Sequence, residues 1–341
     1  MKILVVGAGS IGRRHLRNLL ALDVDAVAVC ETDAGARERA TREFGVAGFA
    51  RLGEALDTGP DAVLVCTPTH LHVPVARTAL EAGAHVFIEK PISASREGTA
   101  DLIATAAARR RKVLVACNMR FHPGLVGLKA GLEAGTPGHP LYFRARFSHY
   151  VLQRYYRASS SARREHDGSF LLEGVHEIDY LRWLGGEVAW ISAYAHRLGG
   201  LEIDTEDYVI ALLGFKSGAA GQIHLDCLSP LKLRGCEVVG VDGTLLWSSE
   251  GKEPERVRVT WYDADRGRHE DVYTDAAYDG NRMYVEEMRH FLDCVSGATA
   301  PALDLEQAVH VLALALEARA AAEQREAGQE AALPLGRVVG P

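Results

Sequence analysis

The stretch Lys2-Ile3-Leu4-Val5-Val6-Gly7-Ala8-Gly9-Ser10-Ile11-Gly12 decides how the first third of the chain folds. Ile3 to Val6 is a short apolar run without polar alternation, the pattern of a strand buried on both faces. Glycines follow at 7, 9 and 12, and then Leu16, Leu19 and Leu20 recur at helical spacing. A G-x-G-x-x-G run is weak evidence alone, but between a strand and a helix it is the pattern that binds a dinucleotide. Gly7 permits the tight turn, Gly9 lets the backbone approach a pyrophosphate, and Gly12 lets helix and strand pack closely. Free amides at the helix start, around Ser10 and Ile11, face the anion.

Strand and helix keep alternating downstream. Ala26 to Cys30 is a second strand, followed by a charged helix from about Asp33 to Phe44. Ala62 to Cys66, Val86 to Ile88 and Val113 to Cys117 are further apolar runs. Helices ending near Ala82 and running from Ser95 to Arg110 separate them. Such alternation predicts a parallel sheet covered on both faces, a doubly wound dinucleotide-type domain. Glu31 ends the second strand, 19 positions after Gly12, where a carboxylate accepts hydrogen bonds from both ribose hydroxyls. It would repel a 2′-phosphate, so NAD is expected over NADP, although Arg13 and Arg14 keep NADP open.

Ligands of parallel sheets bind at the carboxyl ends of the strands. Glu89-Lys90-Pro91 closes the fourth strand, which projects Lys90 into the crevice, and a cis Pro91 would aim it sharply. Without the glycine turn upstream, a lysine there would simply be solvated.

The character changes after Phe121-His122-Pro123. Strands are expected at Leu141–Ser148, Val188–His196, Tyr208–Phe215, Ala219–Asp226, Glu237–Val241 and Val257–Tyr262. Turn signals such as Lys216-Ser217-Gly218 and Asp242-Gly243 join several of them, predicting a mostly antiparallel sheet. One helix, Phe170 to Leu184, precedes that sheet, and two more, near Tyr284–Cys294 and Leu305–Glu323, close the fold. The expected fold is α/β: an N-terminal dinucleotide-binding domain over 1–122 and an α+β domain with a large, mostly antiparallel open sheet over 123–330. The closing helices, about 284–323, are expected to pack back toward the first domain, with a tail at 331–341.

The helix at 170–184 carries the second chemical cluster. Glu173, His176 and Asp179/Tyr180 recur three or four apart and are expected on one helical face. An acid one turn before a histidine orients the imidazole and tunes it for proton transfer near neutrality.

Bulk properties narrow the field. The net charge of −7 and a pI near 6.1 argue against nucleic acid as a partner. The basic run Arg109–Lys112 complements the carbonyl end of an Ala-rich helix. Cys30, Cys66, Cys117, Cys227, Cys236 and Cys294 include no C-x-x-C pair, and no His/Cys cluster has zinc-like spacing, so no metal is expected. They read as reduced core thiols of a cytoplasmic protein. Met1-Lys2 runs straight into a strand, and no apolar stretch approaches the length of a membrane span, so neither a leader nor a membrane partner is expected.

Taken together, the glycine turn, Thr67-Pro68-x-x-x-His72, Glu89-Lys90-Pro91, Asn118-Met119-Arg120-Phe121-His122-Pro123 and His176-Glu177-Ile178-Asp179 resemble the glucose–fructose oxidoreductase/inositol dehydrogenase/rhizopine catabolism (Gfo/Idh/MocA) family. The resemblance spans essentially the whole chain. It implies a Rossmann domain, a second domain whose open sheet builds homodimers or homotetramers, and hydride transfer between the nicotinamide and a sugar, nucleotide-sugar or cyclitol hydroxyl. By motif, Lys90 would hold the reacting hydroxyl and His176 would act as general acid/base. Thr67, Pro68, His72, Glu89, Lys90 and Asn118 would line the nicotinamide end. Asp179, Arg120 and His122 would border the substrate.

The chain departs from that pattern in two places. Many members carry an aspartate four residues before the histidine; here Leu172 occupies that position and Glu173 is the nearest acid. The usual glycine lead-in is Asp167-Gly168-Ser169. Upstream, Arg154, Arg157, Arg163 and Arg164 mix with Tyr155 and Tyr156, a pattern suited to an anionic sugar or to a solvated loop. Two alternatives to a sugar or polyol dehydrogenase stay open: a reductase of a non-sugar substrate, and a non-catalytic NAD-binding sensor.

Overall fold

The computed structural model describes residues 1–149, 168–199, 201, 203–251 and 254–330, without the side chains of Glu173 and residues 326–330. The first part runs β1 (Lys2–Val6), α1 (Ser10–Ala21), β2 (Ala26–Cys30), α2 (Ala34–Phe44), β3 (Ala47–Phe49), α3 (Leu52–Leu56), β4 (Ala62–Val65), α4 (His72–Glu81), β5 (His85–Ile88), α5 (Thr99–Arg109) and β6 (Val113–Val115). Its six strands are parallel, in the order β3-β2-β1-β4-β5-β6. All four residues of β4 are buried, as an apolar run covered on both faces requires. The order reverses between β1 and β4, which opens a crevice at their carboxyl ends. Val6 pairs with both Cys30 and Val65, and Val65 with Ile88, so the glycine turn, Glu31, Thr67 and Lys90 all emerge along one rim.

A turn at Asn118–Phe121 leads into α6 (Pro123–Glu133) and β7 (Pro140–Ser148). The described chain continues with α7 (Phe170–Glu173), α8 (Val175–Gly185), β8 (Val188–His196), β9 (Tyr208–Phe215), β10 (Ala220–Asp226), β11 (Leu233–Gly240), β12 (Gly243–Glu250), β13 (Glu255–Asp263), β14 (Arg268–Tyr278), α9 (Asn281–Ser296) and α10 (Leu305–Glu330). The eight strands order as β14-β13-β12-β11-β7-β10-β9-β8, antiparallel apart from β7 with β10. Period-2 alternation buries Phe143, Ala145, Leu213, Ile223 and Val238 beneath the helices and leaves Leu141, Trp190, Leu212 and Leu246 exposed. The sheet is thus covered on one face and open on the other.

Three strands, β3, β12 and β14, lie beyond the sequence reading, and β11 begins four residues earlier than expected, at Leu233. Pairing on both sides, with β7 and β12, draws Leu233-Arg234-Gly235 into the sheet despite poor strand propensity. The expected single helix at 170–184 is two helices. It breaks at Gly174, where a Cβ would stand 2.2 Å from Leu225 Cδ1. Glu173 thus ends α7, and His176 lies in the first turn of α8.

The closing helices tie the two sheets together. Met288, Phe291 and Cys294 of α9 complete the core around Leu16, Leu19 and Phe87, and Asn281 Nδ2 donates to Asn18 Oδ1 at 3.0 Å. Leu303, just before α10, accepts the Val115 N–H at 3.2 Å. Among the described residues no helix is long and apolar enough to cross a membrane, and no three His, Cys, Asp or Glu side chains group to hold a metal. All six cysteines are buried and free.

Candidate active site

The glycine turn is built by contacts within the protein at two of its three glycines. Gly7 has φ +102°, and its N–H donates to Cys30 O at 2.9 Å. A Cβ at Gly12 would lie 2.0 Å from Gly7 O. At Gly9 a Cβ would meet nothing within 4 Å, so that edge of the turn faces open space. Gly9 caps α1 with no side-chain bond, which leaves the first amides of the helix available to an anion.

Glu31 reaches back to this turn: Oε2 accepts the Ala8 N–H at 2.8 Å and Oε1 the Asp33 N–H at 2.9 Å. The nearby arginines are engaged elsewhere. Arg13 and Arg17 pair with Glu43, Arg14 stacks on Tyr284 at 4.3 Å, and Arg37 donates to Glu31 O at 2.7 Å. An open glycine edge, an uncapped helix start and a carboxylate on the ribose side together fit a dinucleotide.

At the opposite end of the rim, His72 is buried between two loops, its nitrogens 2.8 Å from Thr67 O and 2.8 Å from Pro91 O. Burial pushes its pKa below the ordinary histidine value. The Lys90–Pro91 peptide is cis. Glu89 turns inward, with Oε1 2.7 Å from His15 Nε2 and Oε2 accepting the Lys90 N–H at 3.1 Å. Burial pushes the Glu89 carboxyl up, but the bond and charge of His15 and the Lys90 ammonium outweigh it and hold it below the usual range. Asn118 is buried at the turn after β6.

Lys90 and His176 wall one pocket, together with Cys117, Asp179 and an apolar side formed by Val175 and Leu312. The residues come from the segment after β5, the turn after β6, α8 and α10. Burial, with Lys90 and Arg234 adding positive charge, holds the His176 pKa well below the ordinary value, so the imidazole is neutral. Its Nδ1 is buried with no partner among the described residues. Asp179 is engaged by Arg120 and by the Cys117 thiol, and Arg120 also donates to Ala302 O.

His122 does not border this pocket. It caps α6, accepting the Gly124 N–H at 3.1 Å, with its ring centroid 4.9 Å from both Trp247 and Tyr278. Burial pushes its pKa down to about 3. Tyr156 and Arg157, with Arg154, Arg163 and Arg164, lie outside the described residues, as does the Glu173 side chain.

Three neighbours escape a reading of sequence alone. Arg234 of β11 donates to Glu177 Oε1 through Nε at 3.0 Å and Nη2 at 2.6 Å, tying the first turn of α8 to the sheet. Tyr284 bears on Lys90, Arg14 and Glu89, and Glu287 accepts the Cys117 N–H at 2.6 Å. Glu287 had a legible signal: it is an acid beside Met288, Phe291 and Cys294 on the apolar stripe of α9. Arg234 had none.

Residues 1–117 match the family model for an oxidoreductase family with an NAD-binding Rossmann fold, and residues 126–246 match the Gfo/Idh/MocA C-terminal domain. The chain is 28% identical to scyllo-inositol 2-dehydrogenase (NAD(+)) of Bacillus subtilis, over 90% of each protein. It is 31% identical to inositol 2-dehydrogenase of Acidothermus cellulolyticus, over 73% of each. The crystal structure of the WlbA dehydrogenase from Bordetella pertussis, in complex with NADH and UDP-GlcNAcA, superposes with a TM-score of 0.80 at 23% identity, covering 95% of this chain and 97% of that one.

Proposed function

Since the chain belongs to the Gfo/Idh/MocA family of NAD-binding oxidoreductases, we propose that it moves hydride between NAD and a hydroxyl-bearing carbon of a sugar, nucleotide sugar or cyclitol. The observation that carries this reading is the convergence of Lys90 and His176, from opposite halves of the chain, on one pocket at the carboxyl end of β5. In the oxidative direction the substrate O–H proton passes to the neutral imidazole of His176 as the carbon–oxygen double bond forms. Lys90 holds that oxygen and stabilises the negative charge it develops. Bound NAD would supply the hydride acceptor for the same carbon. Reduction reverses each step. Asp179, already gripped by Arg120, sets the floor of the pocket rather than moving a proton.

The glycine turn, Glu31, Thr67, His72 and Asn118 hold the cofactor, His72 by fixing the two loops that flank it. Glu31 favours NAD over NADP. Residues 1–122 thus serve the cofactor and 123–330 the substrate. The inositol dehydrogenases among the relatives support a cyclitol substrate, and the arginines and tyrosines at 154–164 support an anionic sugar. The exposed Trp190, Leu212 and Leu246 on the open sheet face support self-association as a dimer or tetramer. Six free buried thiols support a cytoplasmic location.

The test is turnover across a panel of cyclitols, sugars, sugar acids and nucleotide sugars, with Lys90→Ala and His176→Asn as controls. Each variant should lose about a hundredfold to ten-thousandfold in kcat, with NADH binding, read by fluorescence, changed by no more than about threefold. An undiminished rate in Lys90→Ala would sink the mechanism.

A further inference from the structure

His15 and Glu89 form a buried pair to which the reaction above gives no role. His15 lies on α1, three residues past Gly12, and is fully buried. Phe87 and Tyr284 meet its ring edge-on, at 5.1 and 6.4 Å between centroids. Its Nε2 stands 2.7 Å from Glu89 Oε1, and the other oxygen of that carboxylate accepts the Lys90 N–H at 3.1 Å. A buried carboxylate persists only with a partner. Here the partner comes from the helix whose free amides face the cofactor phosphates.

We propose that His15 is a positioning residue: acting through Glu89, it fixes the end of β5, and with it Lys90, relative to the helix that holds the dinucleotide. The inference rests on the reading of Lys90 as the residue that holds the substrate oxygen. In the sheet, β4 lies between β1, which leads into α1, and β5, which leads into Lys90. The His15–Glu89 bond spans that gap directly, from the phosphate anchor to the reacting end. A displacement of about 1 Å at a reacting centre costs about a hundredfold in rate, so a strut at this point governs kcat rather than affinity. The second buried carboxyl nearby, Glu287, does not share the task. Burial and the charge of Glu89 push its pKa well above the usual value, and its Oε1 accepts the Cys117 N–H rather than a bond from His15.

The experiment compares His15→Leu, His15→Gln, Glu89→Gln and the double variant His15→Leu/Glu89→Gln in the full-length protein. Steady-state rates, NADH binding by fluorescence and melting temperature are measured for each. His15→Leu should lower kcat about tenfold to a hundredfold while KM for NAD and NADH affinity stay within about threefold. His15→Gln keeps a hydrogen-bond donor and should recover most of that loss. The double variant should be no slower than Glu89→Gln, because residues acting as one unit do not add. Losses that multiply in the double variant, or a His15→Gln enzyme as slow as His15→Leu at equal melting temperature, overturn the proposal. Where His15→Leu does not fold, His15→Asn, whose amide falls short of Glu89, carries the same comparison. A Lys90→Ala arm separates the two levels. Retained turnover there removes the premise, whereas an inactive Lys90→Ala with multiplying His15 and Glu89 losses removes only the strut.

Discussion

Arg120 and Asp179 grip each other through two hydrogen bonds, Nε to Oδ2 at 2.9 Å and Nη2 to Oδ1 at 2.7 Å, between the turn that leaves the first sheet and helix α8. Both side chains are buried, at 7% and 2% exposure, so either charge alone would be left without compensation. Arg120→Met or Asp179→Ala should each destabilise the fold by about 3–5 kcal/mol. The double variant should lose clearly less than the sum, as urea denaturation will show; fully additive losses would mean that the pair does not act as one unit.

Gly9 and Gly12 should separate folding from binding. Gly12→Ala drives a Cβ into the Gly7 carbonyl and should destabilise by about 1–3 kcal/mol as well as abolish NADH binding. Gly9→Ala meets open space in the protein and should melt within about 0.5 kcal/mol of the parent. Its NADH affinity should nevertheless fall about tenfold or more, because the new methyl occupies the side from which the pyrophosphate approaches. Fluorescence titration beside a thermal melt reads both quantities.

Glu31→Ser removes the carboxylate that sits against the Ala8 amide. The ratio of kcat/KM for NADP to that for NAD should rise about tenfold, equivalent to about 1.4 kcal/mol. An unchanged ratio would show that cofactor choice lies elsewhere.

Stability should fall in mild acid. His72, His122 and His176 are each held below the ordinary histidine value, chiefly by burial, with His122 down to about 3. Unfolding returns each to about 6.5, so below that pH the unfolded chain binds more protons than the folded one. The contribution is complete above about pH 6.5 and is lost as the pH falls toward the folded values. Each histidine supplies a slope of up to about 1.4 kcal/mol per pH unit, and the three together up to about 4. Urea denaturation at about pH 7.5 and about 5.5 should show that drop. His122→Asn, which keeps an acceptor at the start of α6, should shrink it by about 1.4 kcal/mol.

The parallel sheet was legible because β1, β2, β4 and β5 are apolar runs that tertiary packing reinforces. β14 was not, since most of its eleven residues are exposed, four are charged, and it pairs only with β13. Lys90 and His176 were readable because each sits where local structure alone aims it, at a strand end and on a helix. Arg234 and Tyr284 reach the same region only through long-range pairing and the return of α9, which no local pattern encodes. His122 misled for a related reason. It follows Arg120 by two residues, but the turn at 118–121 ends between them and sends the two side chains to different surroundings. The break at Gly174 depends on where β10 happens to press, and spacing within the helix gives no sign of it.

The packing of Met288, Phe291 and Cys294 against the first sheet has a consequence for the order in which the molecule is made. On the ribosome, β1 to β6 are complete by Val115, but the helix that seals their core begins only at Asn281. At about 5–20 residues per second, that cover arrives on the order of ten seconds or more after the sheet it protects. The nucleotide-binding half must therefore wait with Phe87 and Leu19 incompletely sheltered, which makes nascent-chain chaperones a natural part of its biogenesis and a fragment ending near residue 122 a poor candidate for independent expression.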